Sequence, residues 1–314
     1  MIRPLLAFLS CIAAAAASSA PATTGPAGAP GGPTGKPRRI VSLAPNLTEM
    51  LFAIGAGGEV AGVTDFCDYP PEVRHLPKVG GFINPNPEAV LALAPDLVVA
   101  TPNVGNRPFV EQLMRAGTRV EIVQARNLDE IFPALEALGR ATSRESQASV
   151  LVRRLKDGLL SAKERVKGLP RPRTLLCIQV EPLVVAGPGS YPHDLLTIAG
   201  GISIVPDGSG AYPKLSLEEV VRAAPDVLIQ TRMDAPQGLE VSSEASDSLL
   251  QWWGRWRSIP AVKAGRVHAV AGDTLLRPGP RLLEGIELLI RLLHGSTVAS
   301  VQHAGQGRRL EGCR

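Results

Sequence analysis

Rings, histidines and cysteines are all scarce in this chain. Aromatic residues make up 4% of its 314 positions, and there are five histidines and four cysteines. The net charge of +4 comes from scattered arginines rather than one run. A nucleic-acid surface normally shows a basic stripe interleaved with aromatics, so that class of partner is excluded. His75, His193 and His268 are isolated from one another, whereas a tight zinc or manganese site needs several imidazoles and carboxylates to converge. Cys67 and Cys177 stand in the body of the chain and Cys313 near its end, and spacing alone does not say whether any two pair. Enzyme signatures are missing too. There is no Gly-x-Ser-x-Gly elbow, no phosphate-binding glycine loop ending in Lys-Ser/Thr and no His-Glu-x-x-His. A hydrolase or cofactor-processing enzyme would need a nucleophile beside a base, and no convincing pair is present.

What the chain has in quantity is apolar material, 45% of residues, ample for the cores of two domains. At the N-terminus Arg3 precedes an apolar run from Pro4 to Ala17, followed by small residues at Ser18, Ala20 and Ala22. This is the pattern of an export signal over residues 1–22. The run falls short of the ~20 residues a membrane-spanning helix needs. Cys11 offers lipid anchoring as a further option, although Phe8-Leu9-Ser10 before it fit the usual lipoprotein box poorly. Residues 23–37 are nearly all Pro, Gly, Ala and Thr, a composition that cannot bury enough surface to fold and reads as a tether. The expected location is the periplasm.

Two stretches say nearly the same thing. Residues 88–101 read EAVLALAPDLVVAT and residues 218–231 read EEVVRAAPDVLIQT, so Glu88 falls on Glu218, Ala94 on Ala224, Asp96 on Asp226 and Thr101 on Thr231. Each copy predicts a cap (Asn86, Ser216), a short helix whose second residue is the glutamate, and a stop before Pro95 or Pro225. A buried strand then follows. The chain reads as two related α/β halves.

Around the first copy the sequence predicts strands at 39–44, 60–64 and 119–123, with helices from about Leu47, Phe109 and Asp129. Ser143 is expected to cap a long helix running to about Lys167, with Leu151, Leu155, Leu159 and Val166 on its apolar stripe. Around the second copy it predicts a strand at 173–180, then a Gly/Pro-rich turn carrying Tyr191 and His193, and a helix over 194–199. Trp252, Trp253 and Trp256 sit on a helix, where Trp253 and Trp256 read as core. A strand at 266–270, a loop at 273–280 and an amphipathic helix at 281–293 complete it. The fold expected is α/β: two Rossmann-like lobes, 38–142 and 169–295, bridged by one long α-helix at 143–168, with a ligand cleft between lobes and a polar tail at 296–314.

Phe66, Phe82 and Tyr212 lie in irregular stretches, where a protein so poor in rings rarely keeps them without use. Asp273 and Arg277 share another loop and suit amides or a phosphate, the guanidinium offering a bidentate fork. The bland reading of each ring is local packing.

Several segments are similar to those of the periplasmic substrate-binding proteins with a helical backbone, and among them the cobalamin-binding members. They are RIVSLAPNLTEMLFAIG at 39–55, VTDFCDYPPE at 63–72, LPKVGGFINPNPEAVLALAPDLVVAT at 76–101, YPKLSLEEVVRAAPDVLI at 212–229 and IPAVKAGRVHAV at 259–270. The resemblance implies a binding protein without a cofactor of its own and without catalytic or metal-binding residues. It would act as a monomer, capture cobalamin or a related corrinoid and deliver it to the membrane subunits of an ABC importer. Phe66, Phe82, Tyr212, Asp273 and Arg277 would line the cleft, while Glu88 and Glu218 would dock on those subunits. Rings larger than phenylalanine are more usual at Phe82 and Tyr212, and Thr101 stands where an aromatic is expected. Heme or an iron-siderophore is therefore the rival ligand, with Tyr191 or His193 available to heme as an axial ligand.

Overall fold

The structure, a computed structural model, describes residues 36–101, 103, 105–232 and 243–307. The expected export signal, Cys11, Cys313 and most of the tether lie outside them. The chain divides into two compact units. One ends at Arg154 and takes in Arg277–Pro280, and the other holds Leu155–Leu276 and the chain from Arg281 onward.

In the first unit, strand β1 (Ile40–Ser42) leads into helix α1 (Pro45–Ala53), and β2 (Val60–Val63) follows. Helix α2 (Pro87–Ala92), β3 (Leu97–Ala100), α3 (Arg107–Arg115), β4 (Val120–Ile122) and α4 (Leu128–Ala141) come next. The four strands are all parallel in the order β2-β1-β3-β4. Strands β1 and β3 at its centre are fully buried, as a sheet covered on both faces requires.

Helix α5 (Glu145–Val166) starts in the first unit and ends in the second. Ser143 does not cap it. It has φ +56, outside the extended range a cap residue adopts, and the first intrahelical bond is accepted by the Arg144 carbonyl. The Arg144 side chain fixes this entry, with Nη2 at 2.7 and 2.9 Å from the two Glu59 oxygens and Nε donating to Gly55 O. Burial disfavours the Glu59 charge, but the bonds from Arg144 and Lys36 outweigh it and hold that carboxyl below its usual range. The buried stripe is Ala148, Val152, Leu155, Leu159, Ala162 and Val166. Its alternating four and three spacing runs through Val152 rather than Leu151. Val150 and Leu160 are exposed.

The second unit opens with β5 (Arg173–Val180) and an antiparallel strand that the sequence hid, β6 (Leu183–Val185). Helix α6 (Tyr191–Ile198), β7 (Ile202–Ser203), α7 (Leu217–Ala223), β8 (Val227–Arg232), α8 (Ser243–Gly254), α9 (Pro260–Lys263) and β9 (Val267–Ala271) follow. Asp273–Leu276 forms α10 where a loop was expected, and α11 spans Leu282–Gly307 with a break at Gly295. The helical assignment thus continues past the expected start of the polar tail. Strand order is β6-β5-β8-β9, with β7 also on β5. Trp253 is fully buried and donates Nε1–H to Gln230 Oε1 at 3.2 Å. Trp256 lies beyond the helix end, packed against the same core.

The duplication holds in conformation as well as in sequence. Asn86 and Ser216 cap α2 and α7 by accepting from Ala89 N and Glu219 N. Both helices end in a left-handed alanine, Ala94 at φ +43 and Ala224 at φ +49. The Asp96 carboxylate accepts the backbone N–H groups of Arg38 and Arg39 at 2.8 and 3.1 Å, and Asp226 accepts that of Arg173 at 2.9 Å. In return, the side chains of Arg39 and Arg173 donate to Leu93 O and Ala223 O, equivalent positions of the repeat.

A side chain in the left-handed region is strained, and glycine there relieves the strain at some cost in unfolded-state entropy. Ala94→Gly and Ala224→Gly are therefore each expected to stabilise by about 0.5 kcal/mol. Urea unfolding that shows either one destabilising would contradict the left-handed turn.

Candidate ligand-binding site

In a parallel sheet, loops at the carboxyl ends of the strands are free of the hydrogen-bonded ladder and available to ligands. Phe66 follows β2 and Thr101 follows β3 at that edge of the first unit. Phe82 is brought to the same edge because its carbonyl accepts from Asn103 Nδ2 and Asn106 Nδ2 at 3.3 and 3.2 Å. Both rings are half-buried. The Phe66 ring lies near the residue that precedes Phe82, since a Cβ built on Gly81 would be 3.8 Å from it. Thr101 uses its hydroxyl locally, donating to Val123 O at 2.8 Å across to the end of β4.

Arg277 follows α10 in sequence but folds with the first unit. Its Nη1 lies 2.5 Å from Asp68 Oδ1 and 3.7 Å from Glu49 Oε1, and its Nη2 donates to Phe66 O at 3.4 Å. The guanidinium is largely buried and the Glu49 side chain almost completely so. The fork expected to face a ligand is thus spent on internal carboxylates, and it ties segment 277–280 to the Phe66 loop. Sequence reasoning missed Glu49 and Asp68. Glu49 did leave a signal, since it is an acid among Leu47, Met50 and Leu51 on the buried face of α1.

Cys67, next to Phe66, is free and buried between Thr48 Oγ1 and Thr64 Oγ1. Burial pushes its thiol up, as it does that of the free Cys177, so neither is a reactive thiolate.

In the second unit, residues 211–215 lie antiparallel along β6 as a further edge, through Gly187 N to Ala211 O, Val185 N to Pro213 O and Leu215 N to Leu183 O. This holds Tyr212 half-buried. Burial, and then the Asp194 carboxylate, push its hydroxyl well above the usual phenol range. Tyr191 and His193 are not on a turn but in the first turn of α6, capped by Ser190. The Tyr191 ring is completely buried and its hydroxyl donates to Thr274 O at 3.3 Å, so it is closed to any ligand. His193 is half-buried beside Asp194, Nδ1 to Oδ1 4.0 Å. Asp273 opens α10 in this unit. Glu88 and Glu218 occupy matching, exposed positions in α2 and α7. Among the described residues no group of three or more His, Cys, Asp or Glu is placed to hold a metal ion.

Two α/β units, each built on parallel central strands, with half-buried rings at the loop edge of the first, match a solute-binding architecture. The periplasmic binding protein family model matches residues 40–273. The chain belongs to this family. Its members are solute-binding proteins rather than enzymes, and this chain is the substrate-binding component of an ABC transporter, which implies a membrane permease and a small-molecule ligand as partners. It is 32% identical over 270 residues to an uncharacterized ABC transporter substrate-binding lipoprotein of Bacillus subtilis, YvrC, covering 83% of this chain and 82% of the relative. The crystal structure of the periplasmic vitamin B12 binding protein BtuF of Vibrio cholerae is 28% identical with a TM-score of 0.69, covering 82% of this chain and 96% of the other. A periplasmic heme binding protein from Pseudomonas aeruginosa is 27% identical with a TM-score of 0.73, covering 83% and 94%. Among the described residues no helix is long and apolar enough to cross a membrane.

Removing one partner of a buried ion pair leaves the other charge without compensation. Arg277→Ala is expected to lower stability by about 3 kcal/mol, because the buried Glu49 carboxylate loses its guanidinium. Denaturant unfolding measures this, and a wild-type midpoint would show that the cluster contributes nothing.

Proposed function

We propose that this protein captures cobalamin or a related corrinoid, as a monomer in the periplasm, and delivers it to its ABC importer. The observation that carries the reading is the pair of half-buried rings, Phe66 and Phe82, at the carboxyl edge of the first sheet. A corrin presents a broad apolar face rimmed by amides, which suits aromatic contact with a few polar groups around it. The likeness to the vitamin B12 binding protein of Vibrio cholerae supports the same ligand class. In the proposal Tyr212 supplies a further ring and Asp273 a hydrogen-bond acceptor for amides. Arg277 contributes by fixing the Phe66 loop through Asp68, Glu49 and Phe66 O. Export by the N-terminal signal, with Cys11 unlipidated, belongs to the same reading.

Heme is the second reading, favoured by the likeness to the heme binding protein of Pseudomonas aeruginosa. The chemistry of the second unit works against it. A tyrosine ligand binds ferric iron through its phenolic oxygen, yet the Tyr191 ring is completely buried and its hydroxyl donates to Thr274 O at 3.3 Å. His193 remains as the axial candidate. Titrating the purified protein with cyanocobalamin and with hemin, followed by visible spectra, separates the two readings. Saturable corrinoid binding is expected, weakened by roughly 1 to 3 kcal/mol in Phe82→Ala and in Tyr212→Ala. Hemin binding with an axial-ligand spectrum that disappears in His193→Ala would replace corrinoid with heme.

Glu88 and Glu218 are proposed to dock on the permease. Each opens one of the duplicated helices at an exposed position, and acidic points on such surfaces suit basic partners. Reversing both to arginine is expected to leave folding and ligand affinity intact while abolishing uptake in a transport assay. Normal uptake by the double variant would reduce them to helix-opening acids, which favour the helix dipole without any partner.

A further inference from the structure

Asparagine is among the best helix N-caps because its side-chain oxygen accepts an amide of the first turn. Asn106 stands at the N-cap of α3 and makes no such bond. Its side chain turns away from the helix instead. Nδ2 donates to Phe82 O at 3.2 Å and to Thr101 O at 3.2 Å, while Oδ1 accepts from Asn103 N at 2.9 Å. Both amide hydrogens and the oxygen are used, and the residue is fully buried. Asn103 reinforces the arrangement. Its Oδ1 accepts from Gly105 N and Asn106 N, and its Nδ2 also donates to Phe82 O. Two side-chain amides thus converge on one loop carbonyl more than twenty residues away in sequence.

The loops also touch through their backbones. A Cβ on Gly105 would fall 2.0 Å from Ile83 Cγ2 and 2.7 Å from Ile83 O, so only glycine permits this approach. A buried amide with every polar group satisfied rigidifies what it joins. Here it joins the end of β3, at Thr101, to the loop that carries Phe82.

We propose that Asn106 is a positioning residue for ligand recognition: buried and out of reach of any ligand, it sets the place of the Phe82 ring and so determines affinity through that ring. The inference rests on the reading of Phe82 as a ligand contact. It predicts that the effect of Asn106 on binding passes through Phe82, whereas its effect on stability does not.

The test is a double-mutant cycle with cyanocobalamin as probe and hemin in parallel. Asn106→Ala is expected to weaken corrinoid binding about tenfold in the wild-type background and less than twofold in the Phe82→Ala background. Its thermal destabilisation should be the same in both. Asn106→Asp keeps the acceptor for Asn103 N and removes both donors, so it should reproduce the binding loss if Asn106→Ala folds poorly. Hydrogen exchange should quicken at residues 81–84 in either variant and stay unchanged at Val98–Ala100. An Asn106 variant that binds like wild type, or loses the same factor in both backgrounds, overturns this inference alone. A Phe82→Ala protein that binds like wild type, or a wild-type protein that takes up neither probe, removes the ring reading and this inference with it.

Discussion

Two carboxylates, Asp96 and Asp226, hold the central strand pair of each unit in register. Each accepts a backbone N–H at the start of the preceding central strand, and the arginine there reaches back to the carbonyl that closes the intervening helix. In a parallel sheet the partners come from distant parts of the chain, so register needs an anchor that is not a hairpin turn. A charge-assisted bond from carboxylate to backbone supplies it at one end. The proline ahead of each aspartate stops the helix, and the left-handed alanine before that aims the chain into the strand. Helix length, exit direction and strand register are thereby set within about ten residues, and the chain carries this device twice.

Anchoring one end of the sheet leaves the opposite end to loops, and in the first unit these are long and short of regular structure. They are not loosely held. Arg277 with Asp68 and Glu49 fixes the Phe66 loop, and Asn103 with Asn106 fixes the Phe82 loop. Cys67 packs beneath with its thiol bonded by two threonine hydroxyls. Half-buried rings on such loops keep apolar surface available without losing their conformation, and preorganisation of that kind lowers the ordering cost of an association.

Much of this was legible in the residues. The duplicated segment predicted both caps, both helices with glutamate second, and both buried strands, because proline, cap residues and apolar runs act locally. Trp253 read as core from its spacing alone. The errors share a cause. Ser143 looked like a cap because its residue type favours one, but the preceding helix ends in a way that puts it in the left-handed region, and Arg144 finds Glu59, eighty-five residues away. Tyr191 looked available because prolines and glycines surround it, yet the capped helix it opens buries the ring against another part of the chain.

The sequence by itself determined the α/β class and the repeat, since each depends on periodicity, turn chemistry and residue order that neighbours along the chain can enforce, while the family was legible as a resemblance of segments. Tertiary structure alone decided the occupation of polar side chains. An arginine fork reads the same whether it meets a ligand or an internal carboxylate, and an asparagine before a helix reads as a cap whether or not it caps. Burial makes an unmet hydrogen-bonding group costly, so Arg277 and Asn106 take the partners that folding brings within 2.5 to 3.5 Å. Asn106 meets Thr101 O across 5 positions and Phe82 O across 24, and Arg277 meets Asp68 across 209 and Phe66 O across 211.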